Sequence, residues 1–313
     1  MDKKPFYCQP VSIVMPLYNK ESTVVDSIVS IQAQTLKEWE LVVVDDGSTD
    51  RGVERIASLN DPRIRIHKQK NAGVSAARNK GVELASHELL VFMDADDLWL
   101  PDFLNAIVSL CNDFPNSHWY ATRYEICHPR NGRFIARING LTEGFVRGVI
   151  HDYFSVACRS DPPVWTSAMG VKRHVLRRVG GFPEGISSGE DLLTWAKLAT
   201  VSPLAYDARS LAIFEVSGID RTPDADSKVF YELLKLARLN PSYKSIKAYL
   251  GFWARIESIK AMGVDANAFA RRTAWRAFRY GPLQWRNAYT LVLAHLPATI
   301  RHRMDTFLRQ FAR

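Results

Sequence analysis

Several large classes of protein are excluded by what this 313-residue chain lacks. It has four cysteines, Cys8, Cys111, Cys127 and Cys158, and no C-x-x-C pair among them. That spacing supports neither a disulfide framework nor a zinc site, so a reducing cytosol is the simpler expectation. No run approaches the ~20 apolar residues that a spanning helix needs, and the best candidate, Tyr289 to Leu296, is far too short. Met1 to Pro10 is polar with no apolar core, so no signal peptide is expected. There is no G-x-G-x-x-G and no G-x-x-x-x-G-K-[ST], which removes a dinucleotide fingerprint and a P-loop. Repeats and low-complexity segments are absent as well. A cytoplasmic chain is expected, either free or peripheral at the inner face of a membrane.

The composition that remains is that of a globular protein, 47% hydrophobic and 24% charged. Its net charge of +8 is unevenly spread. Residues 228–313 hold 16 Lys+Arg against 4 Asp+Glu, whereas residues 1–227 hold 25 against 29. A mildly acidic body therefore carries a basic tail, with a boundary near Asp220 to Lys228 and a loop-like run at Arg221-Thr222-Pro223-Asp224.

Buried strands are read at Val11-Ser12-Ile13-Val14-Met15, Leu41-Val42-Val43-Val44 and Leu89-Leu90-Val91-Phe92-Met93, and an alternating one at Ile64-Arg65-Ile66. Helical patterns separate them, from Ser22 to Gln32 and from Val74 to Ala85. This alternation predicts βαβ units: an α/β fold with a Rossmann-like, mostly parallel sheet flanked by helices. Polar clusters directly follow three of the strands: Leu17-Tyr18-Asn19, Asp45-Asp46-Gly47-Ser48 and Asp94-Ala95-Asp96-Asp97. In an open parallel sheet the carboxyl ends of strands share one edge, where ligands bind, so the three clusters converge on one site.

Asp94 and Asp96, one residue apart past a buried strand, can face a common hard cation that also takes substrate phosphates. Asp97 either joins them or caps the helix expected from Leu98-Trp99-Leu100-Pro101. Tyr18 offers a ring to a base, Asn19 a bond to backbone or ligand, and Asp46 an acceptor for a pyrimidine N–H. Asp50 reads as a helix cap. Arg78, on the helix opened by Asn71-Ala72-Gly73, either faces a pyrophosphate or forms a surface salt bridge. His151 and His174 have no partners at metal-ligand spacing.

Four stretches carry a resemblance: Ser12 to Asn19, Val42 to Asp50, Asn71 to Asn79, and Met93 to Asp97. In order and spacing they closely resemble family-two glycosyltransferases of the GT-A fold. The resemblance implies inverting transfer of a sugar from a nucleotide-diphosphate donor, usually UDP-linked, with Mg²⁺ or Mn²⁺. It implies nucleoside contacts at Tyr18 and Asp46 and a metal and pyrophosphate site at Asp94 and Asp96. Pro16, Asn19, Glu21 and Arg78 are grouped with them on the donor side. Residues 1–220 would be the catalytic domain, its donor half about 1–115 and its acceptor half about 116–220, with residues 221–313 a basic helical region.

On the acceptor side, Glu190 and Asp191 open an amphipathic helix, a placement the helix dipole alone accounts for. The resemblance adds a role, because the family carries a similar pair after a stretch like Gly180 to Glu184. Asp191 becomes the expected base, Glu190 an acceptor contact, and Trp195 either a stacking surface for a sugar or a core residue. Trp165 to Met169 is read as a strand. Processive members of the family carry Q-x-x-R-W and spanning helices. Gln284-Trp285-Arg286 does not match, so one sugar per cycle is expected, in cell-surface polysaccharide or lipopolysaccharide synthesis on a glycan or lipid-linked glycan. Two rival functions are a sugar nucleotidyltransferase, which would show a Gly-rich basic loop after the first strand, and a non-catalytic carbohydrate- or lipid-binding scaffold.

The tail reads as helices from Val229 to Leu239, Ser242 to Met262 and Ala266 to Arg279, then Phe307, Leu308 and Phe311 among Arg303, Arg309 and Arg313. It is either a surface for anionic lipid or a helical subdomain with a solvated basic face. No nucleic-acid module is recognisable in it, and no nucleic-acid partner is expected.

Overall fold

The apolar runs become the parallel part of one sheet in the computed structural model, which describes residues 10–186, 188–216, 228–263, 266–281, 285–297 and 300–301. Strands β1 (Val11–Leu17), β2 (Trp39–Asp45), β3 (Ile64–Lys68) and β4 (Leu89–Phe92) lie parallel in the order β3-β2-β1-β4. Val11, Ile13, Val14 and the whole of β4 are fully buried, as expected of apolar strands covered on both faces. Pro16 sits beyond the end of the β4 ladder, which stops at Val14 opposite Phe92, so its missing N–H leaves that ladder intact. Helices α1 (Val24–Gln32), α2 (Gly52–Ala57) and α3 (Val74–Leu84) make the crossovers. A Cβ on Gly81 of α3 would stand 2.3 Å from Val14 Cγ1, so the helix approaches β1 this closely only with glycine there.

Past β4 the chain departs from the sequence reading. Leu98–Trp99 does not start a helix but forms a short strand, β5, and α4 (Phe103–Asp113) begins only after Pro101 and Asp102. Then follow β6 (Trp119–His128), β7 (Gly132–Ile135), β8 (Arg147–Ile150), β9 (Met169–Lys172) and β10 (Leu204–Glu215). Among the described residues these complete one sheet in the order β3-β2-β1-β4-β9-β6-β10-β5, with β7 on β6 and β8 on β10. β9 runs antiparallel to both β4 and β6, while β10 is parallel to β6. The strand expected at Trp165 to Met169 begins only at Met169, because Thr166–Ala168 winds into a 3₁₀ turn. Helices α5 (Tyr153–Ala157), α6 (Arg173–Arg178) and α7 (Glu190–Ala199) also belong to this compact unit, Met1–Ile219.

The second compact unit, Asp220–Arg313, contains α8 (Lys228–Leu239), α9 (Ser245–Gly263), α10 (Asn267–Tyr280) and α11 (Trp285–His295). α10 buries Phe269, Ala270, Thr273, Ala274 and Ala277 and turns Arg271, Arg272, Trp275 and Arg279 to solvent. Among the described residues no helix is long and apolar enough to cross a membrane. The Arg221–Asp224 loop and the aromatic-basic run from Arg303 lie outside the described residues.

Candidate active site

The loops after β1 and β2 are laced together. Asn19 takes a positive φ of 51°, a conformation asparagine tolerates, and this reverses the chain after Tyr18. Its Oδ1 accepts the Thr49 N–H at 2.8 Å, and its own N–H donates to Ser48 Oγ at 3.1 Å. Glu21 and Asp50 form a second clasp: Glu21 N–H donates to Asp50 Oδ2 at 2.8 Å, and Arg51 N–H to Glu21 Oε2 at 3.0 Å. Asp50 also accepts Gly52 N–H at 3.0 Å, covering the start of α2. Buried Asp46 accepts from Gln69 Nε2 at 2.8 Å, Ala72 N at 2.9 Å and Gly73 N at 2.8 Å, and so shapes the turn that opens α3. Asn19, Glu21 and Asp46 thus spend hydrogen bonds on the frame of the cleft. Tyr18 keeps 50% of its surface open.

The aspartate loop after β4 is held by its backbone. Thr23 Oγ1 donates to Ala95 O at 2.9 Å, Ser27 Oγ to Asp97 O at 2.8 Å, and Asp94 N–H to Ser167 Oγ at 3.0 Å. Asp97 is no helix cap. It is buried and accepts from Trp165 Nε1 at 3.0 Å, Ser167 Oγ at 2.5 Å and Glu215 N at 3.0 Å. Burial, together with the charges of Asp94 and Asp96, pushes its carboxyl well above the usual range. The Asp94 and Asp96 side chains remain 23% and 19% exposed, and each meets one protein cation. Arg78 Nη2 lies 2.9 Å from Asp94 Oδ1, and Lys20 Nζ is ion-paired with Asp96 Oδ2.

Two partly exposed carboxylates of this kind are hard oxygen donors suited to Mg²⁺ or Mn²⁺. Among the described residues no group of three or more metal-ligating side chains is assembled. The donor set fits a cation that arrives with diphosphate oxygens rather than one caged by protein alone.

Arg78 is not the surface bridge or open phosphate contact read from the sequence. It is 3% exposed, and the same guanidinium that meets Asp94 reaches Glu190 Oε1 through Nη1 at 3.3 Å, above the Phe182 ring. Burial works against its charge, but Asp94 and Glu190 outweigh it and hold the group protonated. Its neighbour Asn79 bonds both Phe182 O and Phe182 N at 2.9 Å, fixing the Gly180 to Glu184 stretch that leads to α7. At the start of α7, Asp191 is partly exposed and accepts Leu192 N–H at 2.7 Å. Burial lifts its carboxyl to about 7, with the charges of Glu190 and Asp94 adding and Arg78 and the Leu192 N–H opposing.

The acceptor role read for Trp195 is corrected. The side chain is 0% exposed, edge-on to Phe182 with ring centroids 5.8 Å apart, so it is core and cannot stack on a sugar. Three residues of the frame had no role in the sequence reading: Lys20, Asn79 and Ser167. Lys20 and Asn79 directly follow Tyr18-Asn19 and Arg78, and that adjacency was their one signal. Ser167 gave none, because its bonds to Asp94 and Asp97 span about seventy positions.

Comparison with known proteins bears on the family and the fold. The family model described as "Glycosyl transferase family 2" matches residues 12–174. An uncharacterized glycosyltransferase of Rickettsia felis is 30% identical over 251 residues, 78% of this chain and 40% of that protein. WfgD of Escherichia coli, named as a UDP-Glc:alpha-D-GlcNAc-diphosphoundecaprenol beta-1,3-glucosyltransferase, is 36% identical over 129 residues, 40% of this chain and 51% of its own. The chain thus spans about half or less of the length of these relatives. S. aureus TarS 1–349, solved in complex with UDP, has the same fold with a TM-score of 0.63 at 18% identity, covering 95% of this chain and 91% of that one. The α/β architecture is GT-A.

Proposed function

The chain belongs to glycosyl transferase family 2, and on that footing we propose that it transfers a sugar, with inversion, from a UDP-sugar to an acceptor hydroxyl. One observation carries this reading. A single buried guanidinium, Arg78, touches Asp94 of the donor-side loop and Glu190, the neighbour of Asp191. Asp94 and the residue next to the candidate base are thereby held within the span of one side chain. Tyr18 offers its open ring to the base of the nucleotide, beside the loop ordered by Asp46. Asp94 and Asp96 would hold a divalent cation, which when bound neutralises the charge of the departing diphosphate. Asp191, with a carboxyl near 7, removes the proton from the acceptor hydroxyl as it attacks. Arg78 positions both sides, and Glu190 keeps it there.

The UDP donor is supported by the UDP complex of TarS and by the name of WfgD. That name, and the colanic acid assignment of WcaA from E. coli, 36% identical over 102 residues, support a glycan or lipid-linked glycan acceptor in cell-surface polysaccharide synthesis. Asp96→Ala is expected to abolish Mn²⁺-dependent hydrolysis of UDP-sugars while the protein stays folded. Undiminished hydrolysis in that variant removes the proposal.

A second reading concerns α10. Its sequence has four arginines and no acidic residue, and Trp275, 54% exposed, stands on the same face as Arg271, Arg272 and Arg279. We assign this face to an anionic membrane surface, where the indole sits at headgroup depth and the arginines meet phosphate. That location suits a lipid-linked acceptor.

A further inference from the structure

Asp94 and Asp96 both have protein cations as partners, and the two cations differ in kind. Arg78 is fixed: its side chain is 4% exposed, it is shared with Glu190 and it lies over an aromatic ring. Lys20 is exchangeable. Its side chain is 34% exposed, it has the Asp96 carboxylate as its one ion-pair partner among the described residues, and an ammonium on a four-carbon stem swings easily. Its backbone does not move with it. Asn19 before it is clasped by Ser48 and Thr49, and the Lys20 carbonyl accepts the N–H groups of Thr23 and Val24 at 3.1 and 3.0 Å. The ammonium is therefore tethered at the end of β1, next to the end of β4 where Asp96 lies.

We propose that Lys20 is the resident counter-cation of the metal position: it pairs with Asp96 while no metal is bound and moves to the donor diphosphate when a divalent ion takes that carboxylate. This rests on the metal and donor reading given above. Without Lys20 or a metal, the Asp94-Ala95-Asp96-Asp97 loop has Arg78 as its one ion-pair partner among the described residues. With Lys20 in place the loop is stable before any metal arrives, but a bare metal ion must displace an ammonium to bind. A metal that comes with a nucleoside diphosphate meets no such cost, because the released ammonium finds phosphate oxygens within reach. Lys20 thus couples the two ligands. Each binds more tightly in the presence of the other, and the coupling is reciprocal.

The test uses Mn²⁺ and UDP as probes on the full chain. Free Mn²⁺ is followed by electron paramagnetic resonance and UDP by calorimetry, each with and without the other. Lys20→Met keeps the stem and removes the charge. It is expected to bind Mn²⁺ alone about two- to fivefold more tightly than wild type, the size of effect a partly exposed ion pair gives. The mutual enhancement of Mn²⁺ and UDP is expected to shrink by the same factor, and Lys20→Arg to restore most of it. Equal Mn²⁺ affinity of wild type and Lys20→Met without UDP, when both bind Mn²⁺ with UDP, overturns the role of Lys20 and leaves the metal site standing. If neither protein binds Mn²⁺ even with UDP, the metal reading of Asp94 and Asp96 falls, and this inference with it.

Discussion

Replacing Asp191 by asparagine separates what that carboxyl does for the reaction from what it does to the fold. Burial first, then the charges of Glu190 and Asp94, hold it at about 7. Displacement from the ordinary aspartate range to that value corresponds to about 4 kcal/mol between its protonated and ionised forms. The side chain keeps some solvent contact, which screens part of this and leaves about 1–2 kcal/mol as the expected effect on stability. The sign follows from the protons bound. The unfolded chain gives up this proton at about pH 4, whereas the folded protein keeps it to about pH 7. Over that window the folded state binds more protons, so stability falls as pH rises through it and carries the full penalty above it. The carboxamide of the variant cannot ionise and escapes that penalty.

Asp191→Asn should therefore be more stable than wild type at pH 8, by about 3–6 °C in melting temperature for a unit of this size. The advantage should decline steadily as the pH is lowered towards 4. Transfer should be lost while UDP binding remains, and wild-type kcat/KM should rise with pH through about 7 as the base loses its proton. Thermal melts at pH 8 and pH 5, run beside a transfer assay, check all of this. A variant that gains no more stability at pH 8 than at pH 5, or that transfers sugar at the wild-type rate, refutes the reasoning.

Arg78→Met leaves Asp94, Glu190 and Asp191 without their shared cation, and urea titration should show a loss of about 3–5 kcal/mol. In that variant the acid limb of kcat/KM should also move to higher pH, because Arg78 lowers the Asp191 value; unchanged stability would contradict a buried bridge. For α10, vesicles containing phosphatidylglycerol should float the wild-type chain, and replacing Arg271, Arg272 and Arg279 together by Glu should abolish flotation. Equal flotation of the two proteins, or of wild type with neutral vesicles, rejects the membrane assignment.

The parallel part of the sheet was legible because strands buried on both faces must be continuous apolar runs, and β1, β2 and β4 are. The clustering of Tyr18, Asp46, Asp94 and Asp96 at one edge followed from topology alone. What escaped notice depends on partners distant in sequence. Leu98–Trp99 is a strand because β10, more than a hundred residues on, supplies the ladder, and a local pattern ending in proline cannot show that. Trp195 stands one turn on from Asp191 in the same helix, on the face they share, and periodicity does not tell a ring facing Phe182 from one facing a ligand. Arg78 was visible as a cation near the site, but its burial and its pairing with Glu190, 112 positions away, were not.

Asp97 joins segments made far apart in the chain: the aspartate loop itself, the 3₁₀ turn with Trp165 and Ser167, and the end of β10 at Glu215. During synthesis, then, the loop cannot reach its final shape when residue 97 leaves the ribosome. It waits until residue 215 has emerged, more than a hundred additions later. A fragment ending near residue 115 would carry the aspartates without the partners at Trp165, Ser167 and Glu215 that latch their loop.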